Sequence, residues 1–129
     1  MQTAIDHLVV SGGTLDAATA HVERTLGLAS LPGGRHALMG THNSVLSLGP
    51  GLYVEALAPD PAAPAPDRPR WFGLDRCAAE PDAQPRLAAW ALRVDDLDEA
   101  IGGAPDGIGR PVDMQRGDLR WRITVPEDG

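Results

Sequence analysis

Apolar and polar positions alternate along Ile5-Asp6-His7-Leu8-Val9-Val10, which predicts a strand with Ile5, His7 and Val9 on one face. The pattern then changes period. Leu15, Ala18, Val22 and Leu26 recur at helical steps of three and four, so a helix is expected over residues 15–26, capped by Thr14 and stopped by Gly27. Pro32-Gly33-Gly34 reads as a loop, His36 to Met39 as a short strand, and Asn43 to Leu48 as a further strand. Gly49-Pro50-Gly51 turns the chain into Leu52-Tyr53-Val54-Glu55-Ala56-Leu57, whose alternation sets Glu55 beside Tyr53 and Leu57. The first segment therefore reads β-α-β-β-β.

Proline recurs too often between residues 58 and 70 for helix or central strand, so this stretch is a connector. Trp71 and Phe72 are expected to pin it to the core, and Trp90 and Trp121 also read as core anchors. A strand followed by a helix then recurs: Leu92-Arg93-Val94 echoes Leu8-Val9-Val10, and Leu97-Asp98-Glu99-Ala100 echoes Leu15-Asp16-Ala17-Ala18. Residues 102–109 form a loop. Arg110 to Met114 and Asp118 to Val125 are expected strands, the latter with Leu119, Trp121 and Ile123 on one face. The fold class that follows is α+β, with paired βαβββ modules and the second module short of its last strand. Module one spans 1–58, the connector 59–86 and module two 87–129.

Length and charge narrow the partners. With 129 residues the chain is one domain. Its formal charge is −7 and all 11 of its basic residues are arginines, which leaves no basic stripe for nucleic acid or an anionic membrane. A small-molecule ligand is the expected partner. Cys77 is the single cysteine, so no internal disulfide exists and a reducing cytoplasm is the default expectation. No run reaches the roughly 18 apolar residues of a membrane span. The bias to Ala, Arg, Pro and Gly suggests a GC-rich bacterial source.

The candidate chemistry sits inside the apolar runs. An ionised carboxylate buried without a partner costs several kcal/mol, so Glu55 between Val54 and Ala56 calls for one, and a strand carrying His7 can supply it. His36 and His42 flank a Gly-containing segment and are candidates to line the same pocket, where a third ligand would complete a facial metal set of two imidazoles and a carboxylate. Asn43 has the chemistry either to close a turn or to touch a ligand. Arg120 and Arg122 alternate with Trp121, and an inward arginine there would hold a carboxylate or phosphate.

Taken together, Ile5-Asp6-His7-Leu8-Val9-Val10, Gly33-Gly34-Arg35-His36, Gly40-Thr41-His42-Asn43, Tyr53-Val54-Glu55-Ala56-Leu57, Trp90-Ala91-Leu92-Arg93-Val94-Asp95-Asp96-Leu97 and Leu119-Arg120-Trp121-Arg122 resemble the vicinal oxygen chelate superfamily, and within it the glyoxalase-like domain proteins. The resemblance implies an open cup-shaped sheet. It implies a divalent metal (Fe, Mn, Ni, Co or Zn) on His7 and Glu55, Glu55 as the catalytic carboxylate, and His36, Asn43, Trp121 and Arg122 as substrate-binding residues. Ala91 stands where a second module would repeat His7. The activity implied is that of a metal-dependent lyase, isomerase or dioxygenase; the alternatives are a non-catalytic binding or sequestering protein and a degenerate assembly module. A homodimer is expected, because the strand around Leu119 to Val125 is left as an edge.

Overall fold

The computed structural model describes residues 1–129. In chain order the elements are β1 (Thr3–Ser11), α1 (Leu15–Leu26), β2 (Leu31–His36), β3 (Thr41–Gly49), β4 (Leu52–Pro59), a single 3-10 turn (Trp71–Gly73), α2 (Leu74–Ala79), β5 (Arg86–Val94), α3 (Leu97–Gly102), β6 (Arg110–Arg116) and β7 (Leu119–Val125). Five strands form one open sheet in the order β2-β3-β4-β1-β5, and β6 and β7 pair separately. The architecture is α+β, an open cup built from one complete βαβββ unit and a second unit with three of its four strands.

Helix α1 forms as its pattern dictates. The Thr14 hydroxyl accepts from the Ala17 N–H, and Gly27, at φ 68°, returns its N–H to the Glu23 carbonyl. Its buried residues Ala18 and Val22 pack with Val10, Leu46, Val54 and Ala56 on one face of the sheet. The other face carries Val9 and Leu57 into a second core with Met39, Trp71, Leu74, Met114 and Val125. Because neighbouring residues of a strand alternate between faces, the β6–β7 hairpin and the Trp71–Leu74 corner close over the side of β1 and β4 that α1 does not cover. His7 and Glu55 lie on that inner side.

Several sequence expectations change. Pro32-Gly33-Gly34 belongs to β2, an edge strand whose register with β3 slips between Pro32 and Arg35. Proline at an edge sacrifices no ladder bond, and glycine permits the close approach of a neighbour, so residues that look like a loop form a bulged strand. The turn lies instead after His36, and Met39 is drawn from it into the core. Trp71 pins the connector as expected, while α2, anchored by fully buried Leu74, was not legible. Trp90 is 62% exposed rather than a core anchor, because β5 is an edge strand and α1 packs over β4 and β3. No helix is long and apolar enough to cross a membrane.

One irregularity prepares the site. The register of β1 against β5 shifts between Ile5 and His7, leaving Asp6 opposite no residue. Ile5, paired with Leu92, is exposed instead of sharing the inner face with His7. A bulge lets two neighbouring side chains converge, and the Asp6 carboxylate reaches the ring of the next residue.

Candidate functional site at His7, Glu55 and His36

Parallel pairing of β1 and β4 sets His7 opposite Tyr53 and Val9 opposite Glu55, so the His7 ring stacks on Tyr53 at 4.7 Å and its Nε2 lies 3.4 Å from Glu55 Oε2. On the far side of the ring, Nδ1 is 2.8 Å from Asp6 Oδ2. Asn43 comes from β3, two residues diagonal to Glu55, and donates its amide to Glu55 Oε1 at 2.7 Å. Its own oxygen accepts the Gly34 N–H at 2.7 Å. A Cβ on Gly33 would fall on that oxygen, so the close pass of β2 requires glycine here. His36 closes the group, with Nε2 3.9 Å from Glu55 Oε1, Nδ1 3.1 Å from the Thr41 hydroxyl, and its ring edge against Trp71.

The result is an almost fully buried carboxylate, 5% exposed, between two imidazoles and an amide. Burial alone would push the Glu55 carboxyl upward, yet the contacts from His7 and Asn43 and the charges of the imidazoles hold it below the ordinary glutamate value. For His7 burial works downward and is overcome by Glu55 and Asp6, so it sits above the ordinary histidine value. His36 is pushed the other way: burial dominates, Glu55 opposes it, and the positive charges of Arg116, His7 and His42 add to the lowering. Two imidazoles on one carboxylate are thereby separated in basicity, the arrangement that distinguishes an acid from a base at neutral pH. Tyr53 is pushed up by burial and by Glu55 and Asp6, and stays a neutral phenol.

The donor types of His7, His36 and Glu55 suit a divalent cation, and each imidazole is tied at Nδ1 in the manner that orients metal-bound histidines. Their placement does not suit one. No three His, Cys, Asp or Glu side chains gather closely enough to hold an ion, and the Asn43 amide already occupies Glu55 Oε1. As arranged, the cluster is a buried carboxylate in contact with two imidazoles and an amide.

A sequence model of the glyoxalase-like domain matches residues 5–129, from the His7 strand through the β6–β7 hairpin. The chain belongs to the glyoxalase-like domain family. No match was found among curated proteins or among solved structures.

Within this glyoxalase-like domain the remaining candidates lie apart from the cluster. Trp121 packs on the edge of the inner core opposite Met114. Arg122, alternating with it, points away and forks onto Asp98 of α3 at 3.1 and 3.3 Å. His42 alternates with Asn43 on β3; its Nε2 is buried without a partner beside a groove of about 480 Å³ between α1 and the β2–β3 edge. A cleft of about 350 Å³ opens between β5 and β7. Trp71 lines that cleft and touches His36, and Asn43 lines the groove and holds Glu55, so both spaces adjoin the cluster through one of its supports. Of the side chains around Glu55, His7 and its stacking partner Tyr53 are only partly buried.

The glyoxalase-like cluster also contains residues that pattern reading passed over. Asp6 was hidden because alternation places it on the opposite face from His7, and only the bulge overrules that. Thr41 carries no signal of its own, standing just before the strand expected from Asn43. Arg116, on β6, carries no pattern signal beside Arg120 and Arg122; the hairpin register pairs it with Leu119, which sets it on the opposite face from those two.

Proposed function

We propose that this glyoxalase-like domain binds a small oxygen-bearing molecule at the His7–Glu55–His36 cluster and moves a proton on it, chemistry of the isomerase or lyase type. The observation that carries the reading is the buried Glu55 carboxylate held between two imidazoles whose outer nitrogens are each tied down. An isolated structural carboxylate needs one partner; this one has an amide and two titratable rings on the inner side of the sheet.

Glu55, held below its ordinary value, stays ionised and keeps His7 protonated. His7 then offers Nε2–H as an acid to a substrate oxygen that takes the place of one Glu55 contact. His36 stays neutral, and when Nδ1–H donates to Thr41 its Nε2 is left as the basic nitrogen. Tyr53 fixes the plane of His7 by stacking. Binding without chemistry is the second reading, favoured by the β5–β7 cleft walled by Trp71 and Phe72.

Deuterium exchange separates the two. Small carbonyl compounds incubated with the protein in D2O are followed by NMR at the carbon next to the carbonyl. Exchange that disappears in both His36→Gln and Glu55→Gln, with each variant still melting cooperatively, supports proton transfer. Binding with no exchange across the panel assigns the protein to the sequestering reading.

A further inference from the structure

Five of the arginines are paired with carboxylates: Arg35 with Asp60, Arg70 with Asp75, Arg93 with Asp6, Arg110 with Glu127 and Arg122 with Asp98. Arg68 donates to the Pro126 carbonyl. Of those left without a carboxylate or carbonyl partner, Arg24, Arg76, Arg86 and Arg120 are exposed, where water solvates the charge; Arg116 alone is partly buried. In a chain with 18 acidic side chains, a partly buried arginine that none of them meets is unusual.

Its position is equally specific. The Arg116 stem lies across Gly34, where a Cβ would fall 2.5 Å from its Cδ. Gly34 is the residue whose N–H binds Asn43, and Asn43 binds Glu55. From there the charge acts on both His36, inside the cluster, and Tyr53, which stacks on His7. β6 thus carries a cation with no carboxylate partner to the Gly34–Asn43 support of a site whose own carboxylate is engaged by Asn43 and the two imidazoles.

We infer that Arg116 is a binding residue for the carboxylate of a small anionic ligand, and that it sets the preference of the site for carbonyl compounds bearing a carboxylate over neutral ones. This inference rests on the reading of the cluster as a small-molecule site. A planar guanidinium matches a carboxylate in bidentate fashion, and a ligand so held presents its other oxygen toward the imidazoles.

The test uses two probes with the same carbonyl, pyruvate with its carboxylate and acetone without. Each is titrated against the full chain while the ring resonances of His7 and His36 are followed by NMR. Pyruvate is expected to shift them at a concentration at least tenfold below that needed for acetone. Arg116→Gln is expected to abolish the difference with little change in melting temperature, since the side chain has no partner to lose. Gly34→Ala is the second variant: it keeps the charge but pushes the Arg116 stem aside, and a weakening of pyruvate alone is expected. Equal binding of the two probes by the wild type would overturn the inference, and so would a preference for pyruvate that survives in Arg116→Gln. If the preference depends on Arg116 while no exchange occurs on any carbonyl compound, Arg116 stands as the anion-binding residue and the proton-transfer reading fails alone.

Discussion

Replacing Asn43 by alanine removes two short hydrogen bonds at once, the buried one it donates to Glu55 Oε1 and the part-buried one it accepts from the Gly34 N–H, both 2.7 Å. The first leaves the buried Glu55 Oε1 without its amide donor, the second a partly buried N–H without its acceptor. An orphaned neutral donor costs about 1–3 kcal/mol and a hydrogen bond to an ion about 1.5–3 kcal/mol, so the loss expected is about 3–5 kcal/mol. Against the roughly 5–15 kcal/mol that holds a domain together, this is a large fraction, equivalent to about 10–20 °C in melting temperature. Asn43→Asp separates the two bonds. Its oxygen can still accept from Gly34, but its second oxygen confronts Glu55, and two carboxylates at hydrogen-bonding distance cannot both ionise. That variant is expected to be destabilised at pH 7 and to recover part of the deficit near pH 5 as the pair takes up a proton. Urea denaturation followed by circular dichroism measures both. An Asn43→Ala variant within 1 kcal/mol of wild type would refute the reasoning, because it would mean that the Glu55 carboxylate is not held by this amide.

Other consequences are open to simple measurement. The His7–Glu55 contact gives a pH signature: His7 is raised, so its contribution is complete below about pH 6.5 and is lost as pH rises through its folded value, whereas Glu55 is lowered and its contribution is lost as pH falls through its own. The stability advantage of wild type over His7→Gln is therefore expected to be largest at mildly acidic pH and to shrink toward pH 9; an advantage that grows with pH would contradict the sign. Calorimetric titration with Mn, Ni, Co and Zn is expected to show no better than weak binding, since no three donors converge; submicromolar affinity lost in both His7→Ala and Glu55→Ala would show that the cluster rearranges around an ion. Light scattering over a concentration series is expected to show a dimer, because β7 pairs only with β6 and β5 only with β1, leaving two free edges beside exposed Leu119 and Trp90; a monomer throughout would refute the expectation that these edges pair with a second copy.

How far this site can be read from the sequence depends on which interactions follow from periodicity. His7 and Glu55 were legible because a titratable residue inside an alternating apolar strand stands out, and the parallel pairing of β1 with β4 brings the two together. The helix at Leu15–Leu26 was legible for the same reason, its caps and stripe agreeing. Asp6 was not, since its approach to His7 depends on a bulge created by pairing with β5, a strand some eighty residues away. The β2 strand was misread because proline and glycine mark loops in general, and only the close pass of Asn43 explains why they stand in a strand here. Trp121 and Arg122 drew attention as large or charged residues on a strand, yet which side of a hairpin faces a cup is decided by the packing of Met114 and Val125. Arg116 shows the converse: its significance lies in having no partner, which no sequence displays.

The claim on which the account turns is that the two imidazoles beside the ionised Glu55 differ in charge, His7 kept protonated by the carboxylate and His36 kept neutral by burial in spite of it. Long-range proton–nitrogen NMR spectra of the His7 and His36 rings, recorded from pH 5 to 9, test it directly. The account predicts that His7 titrates above the ordinary histidine value and His36 below it, and that Glu55→Gln moves both downward, because the Glu55 charge favours protonation of each ring. Two rings titrating together at the ordinary value, and unmoved by Glu55→Gln, would contradict it.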